Sequence, residues 1–422
     1  MHLTVNDTNC HAATTKCRHC DAALTTIFAD LGATPVSNDY LREADRNGPE
    51  SYYPLRAFVC DSCLLVQLED FRRADDLFRE DYAYFSSVST SWLEHARRYA
   101  DAMSERFGLS PASTVVEVAS NDGYLLQYFR AKKVNVLGIE PCRSVAEYAV
   151  REKLIPTRIE FFGEETAKRL VAEGIAADLT AANNVLAHVP DVNDFVSGFR
   201  EILKPEGVST FEFPHLLNQI ELNQFDTIYH EHFSYLSLLA ADKFFSANGL
   251  RIFDVETIPT HGGSLRLFVC RQSASWARTE SVDEVLGRER AAGLDGQAAY
   301  LAFAEKARET KRALLELLIG LKREGKTIAA YGAPAKGNTL LNYCGVGSDF
   351  LDFTVDRSPQ KQGMYLPGTR LPIKAPEAID AAKPDYILIL PWNIKDEITE
   401  QMAHVREWGC KFIVPIPRAQ IL

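Results

Sequence analysis

The sequence predicts an α/β protein in three parts: a small metal-clamped N-terminal lobe, a doubly wound parallel sheet, and a second, smaller Rossmann-like sheet. Cys17, Cys20, Cys60 and Cys63 form two C-x2-C pairs with 39 residues between them, which predicts the lobe. Apolar strand runs alternate with helical patterns between 114 and 214, and the alternation restarts at 327. Such alternation means parallel strands joined by crossover helices. At ~150 residues per domain, a chain of 422 residues has room for about two to four domains, each with its own core.

Each cysteine pair can grip one side of a tetrahedral ion with a short knuckle turn, so residues 1–75 are expected to fold around one zinc ion. A four-thiolate shell leaves no position for substrate or water, which makes the zinc structural. Cys10, Cys142, Cys270, Cys344 and Cys410 have no pair spacing, read as buried small apolar residues, and suggest no disulfide. A net charge of -11 and a pI near 5.5 argue against nucleic acid as a partner, since binding it needs clustered Lys and Arg. No run approaches the ~20 apolar residues of a membrane span, and MHLTVNDTNC is not a secretory leader. A cytoplasmic protein that does not engage the membrane is expected.

Residues 91–107 carry apolar side chains at helical spacing. Strands are expected at 114–119, 134–140, 177–186 and 207–214, with 250–259 and 264–271 forming a hairpin across THGG at the sheet's edge. A charged helical stretch, 282–323, connects to the second sheet, its Glu and Arg alternation reading as a solvated face. That sheet is expected from 327–332, 350–356, 385–391 and 411–417. The resulting domains are 1–75, 76–275 and 276–422. Open α/β sheets bind ligands at the carboxyl ends of their strands, so the loops there should hold the chemistry.

The loop after the first strand reads Glu117-Val-Ala-Ser-Asn-Asp-Gly123. It lacks the G-x-G-x-x-G that seats a pyrophosphate, and instead offers an acidic strand, a polar turn and one glycine. That suits a nucleoside cofactor without phosphates, with Glu140 at the end of the second strand to accept ribose hydroxyls. A second constellation is Tyr229-His230-Glu231-His232, joined by His188 and by Tyr82 and Tyr84. Histidine is the natural proton acceptor near neutral pH, a carboxylate can orient it, and tyrosines can stabilise an oxyanion. H-E-H is not H-E-x-x-H, so one helix face cannot present both histidines to a metal. In the second sheet, Gly332-Ala-Pro-Ala-Lys-Gly337 could bring backbone N–H groups and Lys336 to a diphosphate, while Trp392 reads as packing at a strand end.

These motifs resemble, over essentially the full length, the bacterial S-adenosylmethionine-dependent C-methyltransferases of nucleotide-linked 4-keto deoxy sugars. The resemblance rests on the four cysteines and on EVASNDGYLL (117–126), NNVLAHVPD (183–191), YHEHFSYLS (229–237), THGGSLR (260–266) and YGAPAKGNTLLNY (331–343). It implies a zinc lobe, a class I methyltransferase domain and a C-terminal Rossmann-like domain that helps bind the sugar nucleotide. S-adenosyl-L-methionine would rest on Glu117, Ala119, Asn121, Asp122, Gly123, Glu140, Asn183 and Asn184. His261, Ser264, Lys336 and Asn338 would face a sugar linked to a nucleotide, expected to be TDP.

The resemblance implies His232 as the base that removes the C3 proton, leaving an enolate that attacks the sulfonium methyl. Tyr229 or His188 would stabilise the oxyanion, Glu231 would orient a histidine, and Tyr82 or Tyr84 would line the sugar. His188 and a Tyr229–Glu231 pair remain alternative bases. A nucleotide-sugar isomerase or epimerase using the same proton abstraction, and a non-catalytic zinc-containing nucleotide-binding module, are the competing functions. The sequence leaves the oligomeric state open, a monomer included.

Overall fold

The computed structural model describes residues 15–71 and 85–422, with the backbone alone for His261. Tyr82, Tyr84 and Cys10 lie outside the described residues. The lobe begins with an antiparallel sheet of β1 (Thr26–Thr34), β2 (Tyr53–Val59) and β3 (Val66–Leu68). Phe28, Leu55, Ala57, Val59 and Val66 are buried in a core shared with Tyr300, Phe303 and Ala307, and Phe28 stacks on Phe303 at 4.5 Å. Phe58 and Leu65 are buried with the central unit instead. The lobe is thus a two-sided wedge rather than an appendage.

After α1 (Thr90–Arg106), capped by Ser89, the central unit runs β4 (Thr114–Val118), α2 (Leu126–Ala131), β5 (Asn135–Ile139), α3 (Arg143–Glu152), β6 (Thr157–Arg158), α4 (Glu164–Ala172), β7 (Ala177–Asn183), α5 (Val192–Ile202) and β8 (Leu203–Pro214). Then come α6 (Leu216–Glu221), β9 (Ser234–Tyr235), α7 (Leu238–Ala247), β10 (Leu250–Ile258) and β11 (Ser264–Arg271). The seven-stranded order is β10-β11-β8-β7-β4-β5-β6, with only β11 antiparallel to its neighbours. The expected hairpin forms, and its second strand inserts beside β8. The short β9 leaves this unit and pairs with β3, becoming the fourth strand of the lobe's sheet.

The 282–323 connection is two helices, α8 (Glu280–Ala291) and α9 (Ala298–Arg323), broken where Gly293 and Gly296 interrupt helical propensity. Its face is not wholly solvated. Glu289 is fully buried and accepts from His215 Nε2 (2.6 Å) and from the N–H groups of Leu238 (2.6 Å) and Leu239 (2.8 Å), satisfying the exposed donors at the start of α7.

The last unit comprises β12 (Ile328–Tyr331), α10 (Ala335–Cys344), β13 (Thr354–Val355), β14 (Ile373–Lys374), α11 (Ala378–Ala382), β15 (Tyr386–Ile389), α12 (Lys395–Gln401), β16 (Lys411–Val414) and β17 (Gln420–Ile421). Its order is β14-β13-β12-β15-β16-β17, parallel except for β17. Among the described residues no helix is long and apolar enough to cross a membrane.

Candidate active site

The four cysteine sulfurs of the lobe lie within 4.8 Å of one another, with Cys17 and Cys63 at 3.4 Å and Cys20 and Cys60 at 3.5 Å. A tetrahedral zinc with ~2.3 Å bonds needs sulfurs ~3.8 Å apart, so the set fits zinc and is too wide for a disulfide. Gln67 donates Nε2–H to Cys17 at 3.1 Å. The hydrogen bond from Cys63, with a smaller contribution from Gln67, holds the Cys17 thiol below its ordinary range.

The cofactor loop is shaped by backbone that few residues adopt: Ala119, Asn121 and Gly123 have φ of 57°, 48° and 75°. Glu140 holds it, one carboxylate oxygen accepting from Asn121 N–H at 2.9 Å and the other from Cys142 N–H at 2.8 Å. Each oxygen keeps a lone pair for a ribose hydroxyl. Burial raises the Glu140 pKa and pushes Glu117 well above the usual carboxylate range. Glu117 is buried beside the Tyr124 hydroxyl, whose hydrogen bond only partly offsets the cost of burying the charge. A cationic ligand with hydroxyl and amino donors would relieve both acids, so these residues fit S-adenosylmethionine. Asn183 ends β7, and Asn184, the next residue, gives its N–H to the Glu212 carbonyl at 2.7 Å. Ser86 N–H bonds to the Asn121 side chain (2.9 Å), and Ser87 bonds to Asp122 through both its N–H (3.1 Å) and its hydroxyl, closing the loop from outside.

Residues 223–235 form the loop that carries Tyr229, His230, Glu231 and His232, the expected catalytic group. His232 Nδ1 lies 2.9 Å from the Thr227 carbonyl. A carbonyl only accepts, so Nδ1 carries the proton and Nε2 the lone pair. The Tyr229 hydroxyl donates to that Nε2 at 2.7 Å. His188 packs beside it, ring centroids 4.6 Å apart. Its Nδ1 donates to the Glu231 carbonyl at 2.6 Å, and burial lowers its pKa to about 4. His188 is therefore neutral and presents an acceptor, which makes it a poor oxyanion donor.

Two expectations change here. The Glu231 carboxylate orients no histidine; its peptide carbonyl does, for His188. Nor does the carboxylate pair with Tyr229, whose hydroxyl is on His232. Instead Glu231 accepts at one oxygen from Asn38 of the lobe, through the N–H (3.2 Å) and Nδ2 (2.9 Å). His230 turns away, its Nε2 donating to the Pro54 carbonyl at 3.1 Å, so alternate residues of H-E-H serve different units.

The turn after β12 sits at the junction of all three parts. Gly332 is left-handed at φ 90°, and a Cβ there would lie 2.5 Å from Pro391. Lys336 is over the Trp392 ring at 4.9 Å and donates to Asn393 at 2.8 Å, while burial lowers its pKa. Trp392 is buried and donates Nε1–H to Asp226 at 2.7 Å, so its role is packing. The Ala333 N–H, expected to face a diphosphate, is given to Asp356 at 2.7 Å. Asn338 is buried and donates to the Ser37 carbonyl at 2.7 Å, which joins α10 to the lobe. Ser264 is likewise fully buried, closing its own turn on the Thr260 carbonyl at 2.9 Å, whereas the resemblance implied a position facing the sugar. The His261 side chain lies outside the described set.

Residues without a sequence signal also converge. Glu212 is buried at the end of β8 and takes hydrogen bonds from His95 (2.9 Å) and Arg266 (2.7 Å), and His95 stacks on Trp92. Asn38 and Thr227 had none either, because a backbone carbonyl and a lone asparagine carry no pattern.

A doubly wound sheet with one reversed strand, acidic strand ends in place of a phosphate loop, and a four-cysteine cluster in the first lobe define a class I methyltransferase carrying a zinc-binding lobe. Family models match in the same order: "Putative zinc binding domain" over residues 17–78, "Methyltransferase domain" over 92–255 and "C-methyltransferase C-terminal domain" over 259–417. The chain is 36% identical over 407 residues to C-methyltransferase NovU of Streptomyces niveus, covering 96% of each. It belongs to the S-adenosylmethionine-dependent sugar C-methyltransferase family, and is an enzyme that uses S-adenosylmethionine and zinc. Among solved structures it is similar to a S-adenosylmethionine-dependent methyltransferase from Clostridium acetobutylicum (TM-score 0.35, 13% identity, 47% of this chain, 95% of that one). Another is magnesium protoporphyrin IX methyltransferase from Synechocystis, with bound SAH (TM-score 0.34, 15% identity, 42% of this chain, 83% of that one).

Proposed function

We propose that the enzyme methylates C3 of a nucleotide-linked 4-keto deoxy sugar, with TDP as the nucleotide, through an enolate. The observation that supports this most is the His232 tautomer: Nδ1 fixed on the Thr227 carbonyl and a basic Nε2 under the Tyr229 hydroxyl. A C–H bond is acidic enough to break only beside a carbonyl, where its electron pair can move onto oxygen. The proton ends on His232 Nε2, either directly after the sugar displaces the Tyr229 hydroxyl or through that hydroxyl as a relay. S-adenosylmethionine, when bound, supplies the electrophilic methyl group that the enolate carbon takes. Glu117, Glu140 and the 119–123 turn hold it, and Asn183 and Asn184 flank it. The C-terminal unit, 276–422, contributes Lys336 to the sugar nucleotide's diphosphate.

The test is incubation with a 4-keto deoxy sugar nucleotide in deuterated water, with and without S-adenosylmethionine, followed by mass spectrometry. A methyl mass gained only with the cofactor, and deuterium gained without it, are expected. Deuterium gain with no methylation under either condition would replace this reading by isomerisation, and no change at all would leave a binding module.

A further inference from the structure

We propose that Asn38, supplied by the zinc lobe, is a positioning residue for methyl transfer. By saturating one oxygen of Glu231 with two N–H donors, it confines the carboxyl proton to the other oxygen and makes that oxygen a donor to the substrate carbonyl. This rests on the enolate reading above.

The geometry is specific. The Asn38 N–H and Nδ2 both reach Oε1 of Glu231, at 3.2 and 2.9 Å. An oxygen accepting two N–H donors is the carbonyl-like oxygen of a carboxylic acid, so any proton sits on Oε2. Oε2 is buried without a hydrogen-bond partner among the described residues, and Glu231 is only 4% exposed. A buried polar atom left in that state fits a partner brought by the ligand. Burial raises the Glu231 pKa to about 7, against the opposing pull of its own backbone and of the two Asn38 hydrogen bonds, so both protonation states are present at neutral pH.

Asn38 lies beside Tyr40, whose hydroxyl gives its single proton to the Ala333 carbonyl at 2.6 Å and so ties this stretch of the lobe to the turn after β12. Neighbouring Ser37 is tied to α10 by Asn338 (2.7 Å) and by Thr339 (3.4 Å), and Thr339 in turn donates to the Ile228 carbonyl of the loop that carries His232 at 3.0 Å. During enolisation the C–H bond breaks, its proton moves to His232 Nε2, and its electron pair moves onto the carbonyl oxygen. Glu231 donates a hydrogen bond to that oxygen and keeps its proton. The neutral His188 presents an acceptor, so it leaves this task to Glu231.

The experiment uses the full-length zinc-loaded enzyme and the 4-keto deoxy sugar nucleotide in deuterated water without S-adenosylmethionine, measuring exchange at saturating substrate, with zinc content and cofactor affinity as controls. Loss of an oxyanion donor costs ~10²–10³ in rate, so Glu231→Ala should fall in that range. Asn38→Ala keeps its backbone N–H and should slow exchange ~10-fold with KM nearly unchanged, the upper end for a hydrogen bond between neutral groups. Asn38→Asp, which places acceptors against Oε1, should be slower still. In a Glu231→Ala background Asn38→Ala should cost nothing more. Glu231→Gln keeps one accepting oxygen for Asn38 and one donor for the sugar, so it should retain most exchange even if the Asn38 variants fail to fold.

Equal losses from Asn38→Ala in both backgrounds, or Glu231→Gln as slow as Glu231→Ala, would overturn the proposal. So would normal exchange per zinc-loaded Asn38→Ala enzyme. A wild-type enzyme that neither exchanges nor methylates would overturn the enolate reading, and this inference with it.

Discussion

The cofactor loop at 117–123 and the His232 loop at 223–235 are held in different ways. The first is secured within its own sheet: Ala119 and Ser120 give their N–H groups to the Ile139 carbonyl, and Asn121 gives its own to Glu140. The second is held from three sides. Asp226 bonds Trp392, the Ile228 carbonyl bonds Thr339, His230 bonds Pro54, Glu231 bonds Asn38, and Ser234–Tyr235 joins the lobe's sheet. The first loop draws its hydrogen bonds from one unit, whereas the loop that carries His232 draws its own from the lobe and the C-terminal unit as well.

Stripping the zinc is the strongest way to test that contrast. Structural zinc contributes folding energy to its domain, so chelation should abolish methyl transfer, while calorimetry should show S-adenosylmethionine still binding. Parallel loss of cofactor binding would erase the distinction between the loops. Next in size, His232→Asn should cut methyl transfer at least ~100-fold with cofactor affinity unchanged, since only the base is removed. Unchanged turnover would move the base elsewhere. Glu140→Ala should do the converse, weakening S-adenosylmethionine binding ~10-fold through lost hydrogen bonds while leaving cofactor-free deuterium exchange intact.

The smallest effect is on stability. Unfolded, His188 takes a proton near pH 6.5; folded, burial holds that off to about 4. Between these values the unfolded state binds more protons, so stability is full above 6.5 and falls as pH drops toward 4. Denaturant melts of wild type and His188→Gln at pH 7 and pH 5 should show a smaller loss in the variant.

Much of this was legible before the structure. Cysteine spacing gave the zinc ligands, and strand alternation gave both sheets, because each is a local pattern with a fixed period. The histidines were visible as residues, but their tautomers depend on the carbonyls of Thr227 and Glu231, which no side-chain pattern marks. Ser264 was expected to face the sugar on the resemblance alone; its burial and its bond to the Thr260 carbonyl, like the bond from Asn338 to the Ser37 carbonyl, depend on backbone groups that no side-chain pattern marks. Asn38 lies 193 residues from Glu231 in the chain, a separation over which sequence carries no register. The break between α8 and α9 was signalled by Gly293 and Gly296, whereas the burial of Glu289 depends on His215, which lies outside that stretch.

The pairing of β3 with Ser234–Tyr235 also bears on how this enzyme can be recombined. A chimera that exchanges residues 1–75 with a relative cuts through a continuous hydrogen-bonded sheet, since the fourth strand stays behind in the host. Such a graft should succeed only when it carries the donor's 223–235 segment as well, making the true exchangeable unit discontinuous in sequence though contiguous in space.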